Sequence, residues 1–289
     1  MVFRFDIKTA NQYVEWSDIL AVWREADGIE VFHTAWLFDH FYPIWSPSRP
    51  QPDPSEPCLE GWTMLAALAQ TTTRLRMGTM VTGICYRNPG VLANMVATLD
   101  IISAGRLDLG IGAGWNEQES GAYGIELGTM TQRMDRFDEA CQILVSLLSN
   151  TTTDFAGDYY TFTNAYCEPK GPQQPHPPIL IGGGGEKRTM RTAAKYAQHW
   201  NMPLATPAEF THKLGVLHAH CADLGRDPGE ITASAHIWLT SNTADGIARL
   251  VDEVAAFRDA GATAAIIYLP TPLDPAVLTP LAEQLTALT

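Results

Sequence analysis

The chain is predicted to fold as a (β/α)₈ barrel, on three observations. Short apolar runs of strand character alternate with helically periodic segments from one end to the other. The alternation comes to eight strand–helix units plus one hairpin, the make-up of such a barrel. The length of 289 residues is ordinary for one barrel, and no long interruption suggests a second domain, so residues 1–289 read as one domain. A doubly wound sheet is the alternative, because pattern alone does not prove closure.

Phe3–Ile7 alternates as a strand. From about Tyr13 to Ala26 the apolar residues Val14, Ile19, Leu20, Val22, Trp23 and Ala26 follow helical spacing and stop at Asp27-Gly28. Val31–Phe38 is the next strand, Trp62–Gln70 a short helix and Leu75–Val81 a strand. Pro89 opens a helix that runs to about Ser103 and ends at Gly105, with proline just inside the start and glycine just past the end. Leu107–Ile111 (strand) and Arg133–Leu148 (amphipathic helix) follow. Two extended pieces in Thr153–Phe162 flank Ala156-Gly157-Asp158 as a hairpin. Strands at Ile179–Ile181, His199–Met202, Ile231–Leu239 and Ala264–Leu269 then alternate with helices at Lys187–Ala197, Pro207–Leu224, Ala244–Ala260 and Asp274–Leu288.

Composition narrows the function classes. An apolar content of 46% supports a large core, yet no stretch approaches the roughly eighteen apolar residues of a membrane span. The first residues lack the apolar core and cleavage site of a signal peptide. The five cysteines are scattered, without a Cys-x-x-Cys pair, which fits free thiols in a reducing cytoplasm and no metal centre. A formal net charge of −13 argues against nucleic acid or an anionic membrane as partner, so an anionic ligand would need a locally prepared pocket.

The chemistry is expected at the carboxyl ends of the strands. Asp39 and His40 stand at the exit of the second strand, and His40 is the side chain best suited to exchange a proton near neutrality. Eleven of the nineteen prolines fall in Pro43–Pro57 and Pro169–Pro178, within insertions at about 43–60 and 151–178. The first of these begins just after His40 and reads as a wall or lid over a site. Gly182, Gly183, Gly184 and Gly185 lead from a strand into a helix, followed by Glu186, Lys187, Arg188 and Arg191. Successive glycines let backbone N–H groups converge at a helix start, a seat for phosphate. The Gly-Lys-Ser/Thr ending of a P-loop is missing. Gly110, Gly112 and Gly114 alternate within and beyond a strand, which suggests something flat against the backbone, with Trp115 and Asn116 walling and hydrogen-bonding a ring system. His212, His218 and His220 share a helix without metal-ligand spacing, and no Gly-x-Ser-x-Gly elbow occurs.

Together these residues resemble the bacterial luciferase-like superfamily, in its branch that uses the deazaflavin coenzyme F-420, and most closely its actinobacterial oxidoreductases. The resemblance runs through Phe38-Asp39-His40-Phe41-Tyr42-Pro43, Leu75-Arg76-Met77-Gly78-Thr79-Met80-Val81-Thr82, Tyr86-Arg87-Asn88-Pro89, Ala97-Thr98-Leu99-Asp100 and Ser103-Ala104-Gly105-Arg106. It continues through Gly110-Ile111-Gly112-Ala113-Gly114-Trp115-Asn116, the glycine run and Ala194-Lys195-Tyr196-Ala197. It implies a barrel, often homodimeric, that holds a deazaflavin or flavin at its carboxyl end and transfers a hydride to or from a small organic substrate. It implies His40 as acid/base and a cofactor contact for Asp39. Met80 and Val81 would form a bulge with a cis peptide behind the central ring, Thr82 and Asn116 would belong to the cofactor site, and Gly182–Gly185 with Glu186 would bind its phosphate. Trp45 and Trp115 are expected in the substrate pocket. The alternatives are an FMN-dependent monooxygenase and a non-catalytic flavin-binding member. The sugar-phosphate branch carries a glutamate directly after the Gly-x-Gly strand; here that position is Trp115, with Glu117 two residues on, so that role is not carried over.

Overall fold

The alternating apolar runs close on themselves. In the computed structural model, which describes residues 3–288, eight parallel strands form a barrel. They are β1 (Arg4–Lys8), β2 (Phe32–Leu37), β3 (Arg76–Thr79) with its continuation β4 (Thr82–Gly83), β5 (Leu107–Gly112), β8 (Ile179–Gly182), β9 (His199–Met202), β10 (Thr232–Trp238) and β11 (Ala264–Tyr268). Parallel pairing of β1 with β11 and of β3 with β5 completes the ring, which removes the doubly wound alternative. The expected hairpin is present as β6 (Thr153–Ala156) and β7 (Thr161–Ala165), paired antiparallel outside the barrel.

The connecting helices are α1 (Trp16–Asp27), α2 (Gly61–Thr71), α3 (Pro89–Ile102), α4 (Glu117–Ala122), α5 (Met130–Ser149), α6 (Thr189–Tyr196), α7 (Pro207–Leu224), α8 (Ala244–Asp259) and α9 (Leu278–Thr286). Local chemistry explains their ends. Asn88 caps α3 by accepting from the Gly90 N–H, with Pro89 in the first turn. Thr129 with Gln132, and Thr206 with Glu209, form capping boxes on α5 and α7, and α7 stops at Gly225 with φ +67°. No helix of the described residues is long and apolar enough to cross a membrane.

Alternation along each strand divides its side chains between two cores. Phe5, Ile7, Ala35, Leu37, Ile179, Ile181 and Ile267 face outward into the main core beneath the helices. Trp36, Met80, Leu180 and Ile266 fill the middle of the barrel, and Phe38 and Tyr268 lie together nearer its mouth. The amino end is polar: His199 bridges Arg4 (2.8 Å) and Ser234 (2.7 Å), and Arg76 pairs with Asp108. The chemistry-bearing residues therefore converge at the carboxyl end, above an apolar plug.

Two departures from the expected elements bear on the site. The third strand is not continuous to Val81: it breaks at a cis Met80–Val81 peptide and resumes at Thr82 beside β5. The bulge explains the β5 glycines. A Cβ at Gly110 would strike the Thr79 carbonyl oxygen, and one at Gly112 would stand 2.8 Å from Val81 Cγ2. What lies flat against these glycines is thus the neighbouring strand, in place of the ligand that the spacing suggested. The second departure is α4, six residues that the periodicity did not reveal.

Candidate active site

His40 leaves β2 at the barrel mouth and is 6% exposed. Its Nδ1 lies 2.7 Å from Glu119 Oε2, and Glu119 is fully buried. The same carboxylate accepts the Phe41 N–H at 2.6 Å and the Tyr86 hydroxyl at 2.6 Å. Burial raises the Glu119 carboxyl, but hydrogen bonding and charge from His40, the Tyr86 hydroxyl and the Phe41 N–H outweigh it, so its affinity for a proton falls below the usual range. Tyr86 moves the other way, raised by burial and by the Glu119 carboxylate, so it remains a donor. With Nδ1 committed to Glu119, the free Nε2 of His40 is the nitrogen available to a ligand. The Trp115 ring stands edge-on to His40 at 5.4 Å and is 57% exposed, a wall beside that imidazole.

Sequence reasoning missed Glu119. The acid two residues after Trp115, Glu117, points into solvent with its side chain 82% exposed and reaches Arg133 only at 3.9 Å. Asn116 matters through the helix it starts: its side-chain oxygen accepts the Glu119 N–H at 3.1 Å, capping α4 and fixing the carboxylate toward His40. An acidic residue five to seven places beyond a glycine-rich strand end was the available signal, but nothing local distinguishes positions 117 and 119.

Asp39 is also fully buried, and Arg87 grips both of its oxygens at 2.5 and 3.1 Å while reaching Glu60 at 2.8 Å. Burial pushes the Asp39 carboxyl up, and the guanidinium opposes it. So placed, the Asp39 carboxylate is committed to the Arg87 guanidinium. Thr82 is likewise enclosed, accepting from Trp62 Nε1 and donating to Thr79 Oγ1, each at 2.9 Å. Met80 and Val81 do face the barrel: Met80 packs with Trp36, Leu180 and Ile266, and Val81 methyls lie beside Gly112 and Gly182.

Gly182 ends β8, and Gly183 turns with φ +124°, a conformation open to glycine. The Gly183 N–H pairs with Asn201 O, whereas the N–H groups of Gly184, Gly185, Glu186 and Lys187 have no acceptor among the described residues. Consecutive free N–H groups ahead of α6 suit an anionic group such as a cofactor phosphate. Of the basic residues nearby, Arg188 is spent on Asp135 at 2.5 Å. The Glu186 carboxylate is paired with Lys213 (2.7 Å) and lies within hydrogen-bond distance of His212 (3.0 Å), and His220 reaches the Glu186 carbonyl (2.7 Å). Two of the three α7 histidines therefore hold this loop in place, and among the described residues no cluster of metal-ligating side chains occurs.

The proline-rich connection after His40 is stitched to the β1–α1 turn. Gln12 exchanges two hydrogen bonds with Ile44, Asn11 bonds the carbonyls of Phe38 and Leu59, and Arg49 stacks on Tyr13 at 4.1 Å. It carries Trp45, 42% exposed, edge-on to Trp238 at 6.3 Å. The cysteines offer no nucleophile: burial raises Cys58 to about 12 and Cys85 to about 11.

Comparison with known proteins agrees with this architecture. The chain is 33% identical over 181 residues to a phthiodiolone/phenolphthiodiolone dimycocerosates ketoreductase of Mycobacterium tuberculosis, covering 61% of this chain and 46% of that one. It spans about half the length of the curated mycobacterial relatives that it matches. An F420-dependent secondary alcohol dehydrogenase, solved with an F420–acetone adduct, superposes with a TM-score of 0.81 at 20% identity over 98% of this chain and 99% of that one. An EDTA monooxygenase from Chelativorans superposes with a TM-score of 0.80 at 14% identity over 100% of this chain and 93% of that one. At these identities both are likenesses of fold. The sequence profile of the luciferase-like monooxygenases matches residues 2–278, and with this barrel the chain belongs to that family of oxidoreductases.

Proposed function

We propose that the protein is a coenzyme F-420-dependent oxidoreductase that moves a hydride between the deazaflavin and a small, largely apolar organic substrate. The observation that carries the reading is the buried Glu119–His40 pair at the barrel mouth, in a barrel whose β8 loop also presents a backbone nest suited to phosphate. When bound, the deazaflavin supplies two-electron hydride chemistry and avoids reaction with oxygen. The N–H groups of Gly184–Lys187 would hold the cofactor phosphate, and Met80 and Val81 would back its ring. His40 gives or takes the accompanying proton at Nε2, while Glu119 orients the ring through Nδ1. Trp45, Trp115, Phe41 and Tyr86 would line the substrate site with aromatic rings. Reduction of an activated alkene, imine or nitro compound is the favoured direction.

The competing reading is an FMN-dependent monooxygenase, favoured by the oxygenases that share the fold. Titration separates the two. Purified protein should quench deazaflavin fluorescence on adding F-420 and leave FMN fluorescence unchanged; saturable FMN binding without F-420 binding overturns the assignment. A second copy of the chain belongs to the same proposal, docked on the apolar flank of α3 where Val91 is 57%, Ile101 44% and Ile102 37% exposed. Light scattering should then give twice the 31.7 kDa chain mass, and Ile101→Lys should return it to the chain mass.

A further inference from the structure

Lys8 ends β1 inside the barrel mouth and is only 6% exposed. Its ammonium forms no hydrogen bond and no ion pair with any described residue; its neighbours are the Tyr268 ring at 4.9 Å and the Phe38 ring at 5.9 Å. A buried charge without a partner is costly, and evolved interiors retain one chiefly where function uses it. Burial alone pushes this ammonium down to about 7.

Two more unmatched nitrogens belong to the same wall. His236 Nε2 and Trp238 Nε1 are buried and have no hydrogen-bond partner. Their rings stack at 5.2 Å, and Trp238 lies 3.9 Å from the Tyr268 ring that Lys8 faces. Trp238 and Tyr268 are partners in register across β10 and β11, and Lys8 is the partner of Tyr268 across β1, so the three stand at one level of the barrel. The opposite side of the ring carries the Met80–Val81 bulge and the β5 glycines. The result is a patch with an ammonium and an indole N–H to donate and no acidic side chain to receive them. In a chain of net charge −13, such a patch is the prepared pocket that an anion requires.

We propose that Lys8, with the ring nitrogens of His236 and Trp238, receives the carboxylate of a flat aryl or unsaturated carboxylic acid substrate. This rests on the oxidoreductase reading above and names its substrate class. Phe38 lies between Lys8 and His40, with its ring 5.7 Å from the imidazole, so an acid anchored at Lys8 extends its unsaturated carbons over Phe38 toward His40.

The test uses cinnamate and its uncharged counterpart cinnamyl alcohol as probes, read by quenching of intrinsic tryptophan fluorescence with and without F-420. The native protein should bind cinnamate at least about tenfold more tightly than the alcohol, a difference of one charged hydrogen bond. Lys8→Met should abolish that preference, and Lys8→Arg should keep part of it. Lys8→Met should also raise the thermal midpoint, since it removes an unpaired buried charge while filling the same space. Equal affinity for the two probes in the native protein, or an undiminished preference in Lys8→Met, overturns the proposal. So does a lowered midpoint in Lys8→Met, which would make the amine a structural element, or a loss of F-420 affinity at unchanged probe preference, which would assign it to the cofactor. If the native protein fails to bind F-420 but still prefers cinnamate, the cofactor reading falls and the carboxylate subsite stands.

Discussion

His40→Ala should lower kcat by about 10²–10⁴-fold, the range for loss of a positioned acid/base, while F-420 affinity changes by no more than a few fold. The two effects separate because of where the imidazole stands. Its Nδ1 is bound to Glu119 and its ring packs between Phe38 and Trp115, whereas the candidate phosphate seat lies on the loop after β8. His40→Gln is the sharper variant. An amide can still donate to Glu119 and fill much of the space, but it cannot titrate. If His40 transfers the proton, both variants are slow, and both lose the ionisation that shapes the pH profile of kcat. If His40 serves packing alone, Gln retains most of the turnover that Ala loses. Unchanged turnover in both would remove His40 from the mechanism and leave the cofactor reading to stand on the titration.

The barrel was legible because its information is local and repeated. Ile179–Ile181, Ala264–Leu269 and Val31–Phe38 are apolar runs bounded by turn residues, and each became a strand within a residue or two of the expected limits. His40 was legible for a related reason: an imidazole directly after a buried strand must emerge at the mouth. The partners of these residues were not. Glu119 is 79 positions from His40, and Arg87 is 48 from Asp39. No periodicity connects residues that meet only because the closed ring brings the ends of separate strands to one mouth. The six residues of α4 are too few to show an amphipathic repeat, so the helix that delivers Glu119 stayed hidden with it. The β5 glycines were read for a ligand, but their actual requirement is steric and comes from the strand break at Met80–Val81. Nothing in the sequence marks Lys8; only closure of the barrel reveals that it has no counter-ion among the described residues.

Glu119→Gln should reduce kcat by about 10–100-fold, the scale seen when a group that orients a functional histidine is lost, with little change in F-420 affinity. The substitution keeps one acceptor oxygen, enough for the Phe41 N–H, but sets an amide NH2 against His40 and the Tyr86 hydroxyl and removes the carboxylate charge beside them. Stability supplies an independent readout with a defined sign. The folded carboxyl holds its proton more weakly than the ordinary glutamate value of 4.5. A depressed folded value means that the carboxylate stabilises the fold fully above the unfolded pKa, and that this contribution disappears as pH falls through the folded one. The thermal midpoint of the native protein should therefore exceed that of Glu119→Gln at pH 7, with the gap closing as pH drops below about 4.5, the unfolded reference. Glu119→Ala should be worse than either, by about 3–5 kcal/mol, because it strips the partner from a buried imidazole and leaves two further donors unmatched. A gap between native and Gln proteins that persists unchanged down to pH 3 would mean that Glu119 is already neutral at pH 7, and the role assigned to its charge beside His40 would be wrong.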